Sequence, residues 1–168
     1  MTRGGSTGGD PERDRQERGG ARVVASAEGS DTEPRVLVIP CSGIGKVQGL
    51  LAREATYLVV DELAPGKTDT VCLALLVRED PEALEKVRRR PCIAVDGCAK
   101  ACAQRSLEMA AGDLRVSLQV AGILSKHRGA QPGDGSALTD EGWEIAREIA
   151  ETLASEARSL EPREEAPR

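Results

Sequence analysis

Regular hydrophobic patterning begins near residue 35. Residues 35–40 read Arg-Val-Leu-Val-Ile-Pro, a short apolar run that predicts a buried strand. Between residues 44 and 63 the hydrophobic positions recur every three or four residues, which predicts one face of a helix, and Pro65-Gly66 ends it. Residues 71–77 (Val-Cys-Leu-Ala-Leu-Leu-Val) predict a second buried strand, and a helical continuation after Cys72 is left open.

A helix start and a third strand follow in the middle of the chain. Asp80 is suited to cap a helix whose first position is Pro81. Residues 92–96 (Cys-Ile-Ala-Val-Asp) form another apolar run that predicts a strand. The next helix is expected to open at Gly97-Cys98 and to end near residue 111, where a glycine follows.

The last third of the domain gives one strand and one long helix. Strict alternation of apolar and polar residues over 114–120 predicts a half-buried strand at the edge of the sheet. Residues 125–138 are expected to form a loop, and Thr139 or Asp140 caps the final helix. The residues predicted to be buried by that helix are Trp143, Ala146, Ile149, Ala150, Leu153 and Ala157.

Strand and helix thus alternate throughout, which predicts an α/β fold. The expected core is a small, mostly parallel sheet of about four strands flanked by helices. Residues 35–160 are predicted to form this single domain. Residues 1–34 and 161–168 are rich in charged residues, glycine or proline, so both are predicted to be disordered tails.

Composition and charge narrow the class of protein. Hydrophobic residues make up 39% and charged residues 30% of the chain, as is usual for a globular domain. The net charge of −5 argues against a nucleic-acid partner. The sequence has no apolar run of the ~20 residues that span a bilayer and no hydrophobic stretch of secretory type at residues 1–20. We therefore expect no membrane association and a cytoplasmic location, where thiols stay reduced.

Four of the five cysteines are expected to meet at one edge of the sheet. Cys41 follows the first predicted strand, Cys72 lies near the end of the second, and Cys98 follows the third. The carboxyl ends of parallel strands share one edge, where ligands commonly bind. Cys102 lies four residues after Cys98, so a helix that contains both would present their thiols on one face. The pattern predicts a four-thiol metal site.

The identity of the bound group stays open among three chemistries. Four thiolates form the usual closed tetrahedral set for structural Zn²⁺. The same cysteines suit an iron–sulfur cluster. They also suit a thiol-based redox or sulfur-transfer enzyme that uses Cys98 or Cys102 as an activated thiolate, so enzymatic activity is neither predicted nor excluded. Cys92 lies roughly 20 Å from this edge at about 3.3 Å per residue, and it is expected to be a small buried side chain.

Three segments resemble the DGC-domain family of zinc-binding proteins, which is named for an Asp-Gly-Cys tripeptide. They are residues 40–43 (Pro-Cys-Ser-Gly), 72–75 (Cys-Leu-Ala-Leu) and 95–103 (Val-Asp-Gly-Cys-Ala-Lys-Ala-Cys-Ala). The resemblance covers roughly residues 35–125. It implies zinc as the cofactor and, as its ligands, Cys41, Cys72, Cys98 and Cys102.

Two residues of the tripeptide have expected supporting roles. Asp96 is expected to cap the helix at Cys98, or to orient the site as an acceptor behind the ligands. Gly97 is expected to let the backbone turn sharply at little steric cost.

Overall fold

The structure is a computed structural model, and it describes residues 35–160. The two tails predicted at residues 1–34 and 161–168 lie outside the described residues.

The core is a four-stranded sheet in which every neighbouring pair is parallel. In chain order its strands are β1 (Val36–Pro40), β2 (Thr68–Asp69), β3 (Pro91–Asp96) and β4 (Asp113–Gln119). In space the order is β2-β1-β3-β4, so the two buried central strands are β1 and β3. The predicted parallel α/β sheet is confirmed, and the alternating strand is at an edge as expected.

Six α-helices cover the two faces of the sheet within residues 35–160. They are α1 (Val47–Leu58, continued by a π-helical turn, Val59–Leu63), α2 (Leu73–Val77), α3 (Pro81–Arg89), α4 (Cys102–Met109), α5 (Val120–Leu124) and α6 (Asp140–Ser159). No helix among the described residues is long and apolar enough to cross a membrane.

Successive side chains of the central strands point to opposite faces, and this alternation divides the core in two. On one face Val36 and Val38 of β1 pack with α1, α5 and α6. On the other face Leu37 and Ile39 pack with α2, α3 and α4. Both faces of β1 and β3 are therefore dry, as the continuous apolar runs of these strands predicted.

The register of the central strands brings their carboxyl ends level. Leu37 lies opposite Cys92, and Pro40 lies opposite Val95. One residue further on, the Cys41 amide donates a hydrogen bond of 2.9 Å to the Val95 carbonyl. The loop after β1 therefore leaves the sheet directly beside the end of β3.

The second strand is shorter and earlier than predicted. The second strand is observed at Thr68–Asp69 and not over residues 71–77, and Cys72 occupies the position just before helix α2. The prediction of a strand over residues 71–77 failed because a short apolar run fits a buried strand and a buried helix equally. Val77 at its end is 70% exposed, which no central strand would allow. The helical continuation after Cys72 is the outcome observed.

The helix expected to open at Cys98 begins at Cys102 instead. Residues 98–101 form a turn closed by a 3.1 Å hydrogen bond from the Ala101 amide to the Cys98 carbonyl. Ala101 has φ 50° and ψ 50°, a left-handed conformation that interrupts a right-handed helix. The prediction that Cys98 and Cys102 share one helical face is therefore wrong.

The long helix α6 matches its predicted pattern except at its tryptophan. Thr139 caps it by accepting a hydrogen bond of 3.2 Å from the Gly142 amide. The predicted burial of Trp143 is wrong, because its side chain is 45% exposed in the first turn, outside both core clusters. The other residues predicted to be buried are fully buried: Ala146, Ile149, Ala150, Leu153 and Ala157.

Candidate metal centre

Four cysteines lie on the carboxyl-terminal side of the parallel strands. Cys41 follows β1 directly, Cys98 follows β3 by two residues, and Cys72 follows β2 by three residues. Cys102 is the first residue of α4. All four are free thiols. The topology thus gathers cysteines from distant parts of the sequence on one side of the sheet.

A direct contact joins the Cys41 loop to the turn after β3. The Gly97 amide donates a hydrogen bond to the Cys41 sulfur over 3.4 Å. Because Gly97 immediately precedes Cys98, this bond places the first and third cysteines of the predicted set in neighbouring positions.

Three glycines pack backbone against backbone beneath this contact. A Cβ on Gly97 would lie 2.7 Å from the amide nitrogen of Gly49 in the first turn of α1. A Cβ on Gly49 would in turn lie 2.6 Å from the Gly43 Cα. Gly97 lies at a bend of the backbone, as expected from the sequence. Its φ lies outside the left-handed region, so a glycine is needed there because the two backbones approach closely.

Asp96 ends β3, and its carboxylate is 1% exposed. One of its oxygens, Oδ1, accepts a hydrogen bond from the Ala103 amide at 2.8 Å, and the other, Oδ2, accepts one from the Gln104 amide at 3.0 Å. These amides belong to the first turn of α4, where backbone N–H groups lack helical acceptors and attract negative charge. The predicted capping role is confirmed, although the helix that is capped begins at Cys102.

The two remaining cysteines are exposed at the starts of two contacting helices. Cys72 is the amino-terminal cap residue of α2, and Cys102 opens α4. Helix α2 packs against α4. Both side chains are exposed, whereas Cys41 and Cys98 are half-buried. The set therefore consists of an inner pair that is linked through Gly97 and an outer pair that is open to solvent.

The fit of these residues to a metal ion has two parts. Four free thiols are the donor set that Zn²⁺ takes in structural sites, so the chemistry of the side chains fits. Their spacing is open: over residues 35–160, no three Cys, His, Asp or Glu side chains form a group that could hold an ion. The structure thus describes an open arrangement of donors and not a closed coordination shell.

Cys92 is separate from this edge, as predicted. It lies at the start of β3, fully buried, and its thiol contacts the carbonyls of Arg90 at 3.2 Å and Val87 at 3.4 Å. Burial raises the pKa of the Cys92 thiol from 9.0 to about 12, and the charge of Asp113 adds to the effect. A thiol held neutral in the core is neither a metal ligand nor a nucleophile.

The fold and this edge define a class: a small parallel α/β domain with four free cysteines on the carboxyl side of its strands. Within that class, the chain belongs to the DGC domain family, whose model matches residues 37–148. The match includes all four cysteines and the Asp-Gly-Cys tripeptide. Family membership fits a metal-binding role. Comparison with curated proteins and with solved structures gave no match.

Proposed function

We propose that this protein binds one zinc ion through Cys41, Cys72, Cys98 and Cys102. The observation that carries the proposal is the hydrogen bond from the Gly97 amide to the Cys41 sulfur. It ties the loop that carries Cys41 to the residue before Cys98, and this supports coordination by two cysteines that lie 57 residues apart in sequence.

The other two proposed donors, Cys72 and Cys102, lie at the starts of helices α2 and α4. Cys72 and Cys102 are exposed, so an ion can reach them from solvent without passing through the core. Coordination would turn their side chains towards Cys41 and Cys98 and close the open arrangement, while the helix starts that carry them stay in place. Zinc bound by four thiolates is a closed structural centre, and it supplies a cross-link between the segments that hold them.

The bound ion would join loops that follow three different strands. The domain has two well-buried core clusters of its own, so the metal is not needed to form the sheet. Its effect falls on the carboxyl edge, because a ligand that binds only the folded state raises the free energy of unfolding with the logarithm of its concentration relative to its Kd.

Elemental analysis of the purified protein, prepared anaerobically, tests this proposal. We expect one equivalent of zinc per chain in the wild type. Alanine substitution of any one of the four proposed ligands should remove most of it. Cys92→Ala is the matched control, because it also removes one thiol but from the core, and it should retain full zinc. A wild type without stoichiometric metal, or a Cys98→Ala variant with full metal, would contradict the proposal.

The same sample separates zinc from the other two chemistries. A brown protein with visible absorption and bound iron would indicate an iron–sulfur cluster on these cysteines. A metal-loaded protein in which Cys98 or Cys102 is still rapidly alkylated would indicate thiol-based chemistry. Zinc binding predicts a colourless protein whose four thiols react only after a chelator is added.

A further inference from the structure

Among the carboxylates of residues 35–160, only Asp96 is buried. A charged group out of water is costly unless it is fully hydrogen-bonded, and both oxygens of Asp96 are used on the amides of Ala103 and Gln104. Because Ala103 adjoins Cys102, the two bonds fix the first turn of α4, which carries that thiol, to the end of β3.

We infer that Asp96 is a positioning residue of the proposed metal site, which sets the place of Cys102 relative to Cys98. The inference rests on the proposed function. Cys98 is held in place separately, because its neighbour Gly97 contacts Cys41 and Gly49. The two cysteines of the Asp-Gly-Cys-x₃-Cys segment are thus anchored separately, one through Gly97 and one through Asp96.

The turn between the two cysteines needs an anchor of this kind. Ala101 is left-handed, at φ 50°, and this region is unfavourable for any residue that has a Cβ. Relaxation of Ala101 to right-handed angles would extend α4 towards Cys98 and rotate Cys102 away from its observed place. The two bonds to Asp96 hold the start of the helix at Cys102 and oppose that change.

Electrostatics alone predicts the opposite effect of removing the Asp96 charge. Zn²⁺ with four thiolates carries a net negative charge, and a carboxylate nearby repels it. A neutral side chain at position 96 would therefore strengthen binding if charge were the only influence. A positioning role predicts weaker binding, so the sign of the change separates the two explanations.

The test compares Asp96→Asn with Asp80→Asn. Asp80 makes the same kind of bond, to the Ala83 amide at the start of α3, so Asp80→Asn removes a carboxylate charge from a helix start without affecting α4. Zinc affinity is measured by competition with a chelator. We expect Asp96→Asn to weaken it by about tenfold or more, as loss of a supporting residue typically does, and Asp80→Asn by less than about twofold.

Two further readouts separate position from general stability. Co²⁺ in place of zinc gives sulfur-to-metal charge-transfer absorption whose intensity follows the number of bound thiolates, and Asp96→Asn should reduce it. The second readout uses the wild type, so it does not depend on the folding of a variant. Added metal should slow hydrogen exchange at the Ala103 and Gln104 amides. It should leave the capped Ala83 amide unchanged.

The outcomes distinguish the inference from the function on which it rests. The inference is overturned if Asp96→Asn binds zinc as tightly as the wild type or more tightly. It is also overturned if metal does not change hydrogen exchange at the Ala103 amide. Both outcomes leave the proposed function intact. A wild type that binds neither zinc nor cobalt overturns both.

Discussion

At the scale of single residues, the environments of the cysteines differ in ways that burial explains. Cys92 is enclosed by the core on the α2–α4 side of the sheet, whereas Cys72 and Cys102 are exposed at helix starts. A small apolar side chain that lies in a continuous strand needs no other reason to be present. The burial of Cys92 could be predicted from the sequence, because it lies six residues before Cys98 and a strand of that length places the two cysteines at opposite ends of the strand.

The buried thiol of Cys92 should make the protein less stable at alkaline pH. Its pKa is raised to about 12 in the folded state because burial disfavours the thiolate. The stability gained by keeping the thiol neutral is fully present below the unfolded value near pH 9.0, and it is lost as the pH rises towards 12. Within that window each pH unit should remove roughly 1.4 kcal/mol from the free energy of unfolding.

Urea unfolding of the wild type and of Cys92→Ala over this alkaline range measures the effect. All other titrating groups are common to both proteins, so the difference between the two curves isolates this thiol. We expect the stability advantage of the wild type to shrink with rising pH. Parallel curves would show that Cys92 is not held neutral by the fold.

At the scale of elements, the sequence predicted the sheet more accurately than the turns around the site. Continuous apolar runs gave β1 and β3, and strict alternation gave the edge strand β4. The start of α4 was predicted too early. Alanine favours a helix, so the sequence gives no sign that Ala101 adopts left-handed angles. The hydrogen bonds that Asp96 accepts from the first turn of α4 set that boundary, and such long-range contacts cannot be read from the pattern of residues.

The contact between α1 and the turn after β3 should not tolerate a side chain at position 97. A methyl group there would lie 2.7 Å from the Gly49 nitrogen, so the turn and α1 must move apart. We expect Gly97→Ala to lower the free energy of unfolding by about 1–3 kcal/mol, the usual range for overpacking.

Gly66→Ala is the matched control for this substitution. A Cβ at Gly66 meets nothing within 4 Å, and its φ lies outside the left-handed region. It should change stability by no more than about 0.5 kcal/mol, as exposed substitutions usually do. Thermal or urea unfolding of the two variants gives the comparison, and equal stabilities would contradict the close packing of Gly97 on α1.

At the scale of the whole molecule, parallel topology explains how four distant cysteines reach one side. Every strand pair is parallel, so each segment that leaves a strand does so at the same edge of the sheet. That rule and the positions of Cys41, Cys72 and Cys98 were enough to place these residues on one side of the sheet. The distances between them depend on side-chain placement in turns, and the open spacing of the donors could not be read from the sequence.

X-ray absorption at the zinc edge of the purified protein counts the atoms bound to the ion, so it shows whether four cysteines hold it. We expect a single shell of four sulfur atoms at about 2.3 Å, which falls to three for the residual zinc that a Cys72→Ala variant still binds. A shell dominated by nitrogen or oxygen, or four sulfur atoms that persist without Cys72, would contradict it.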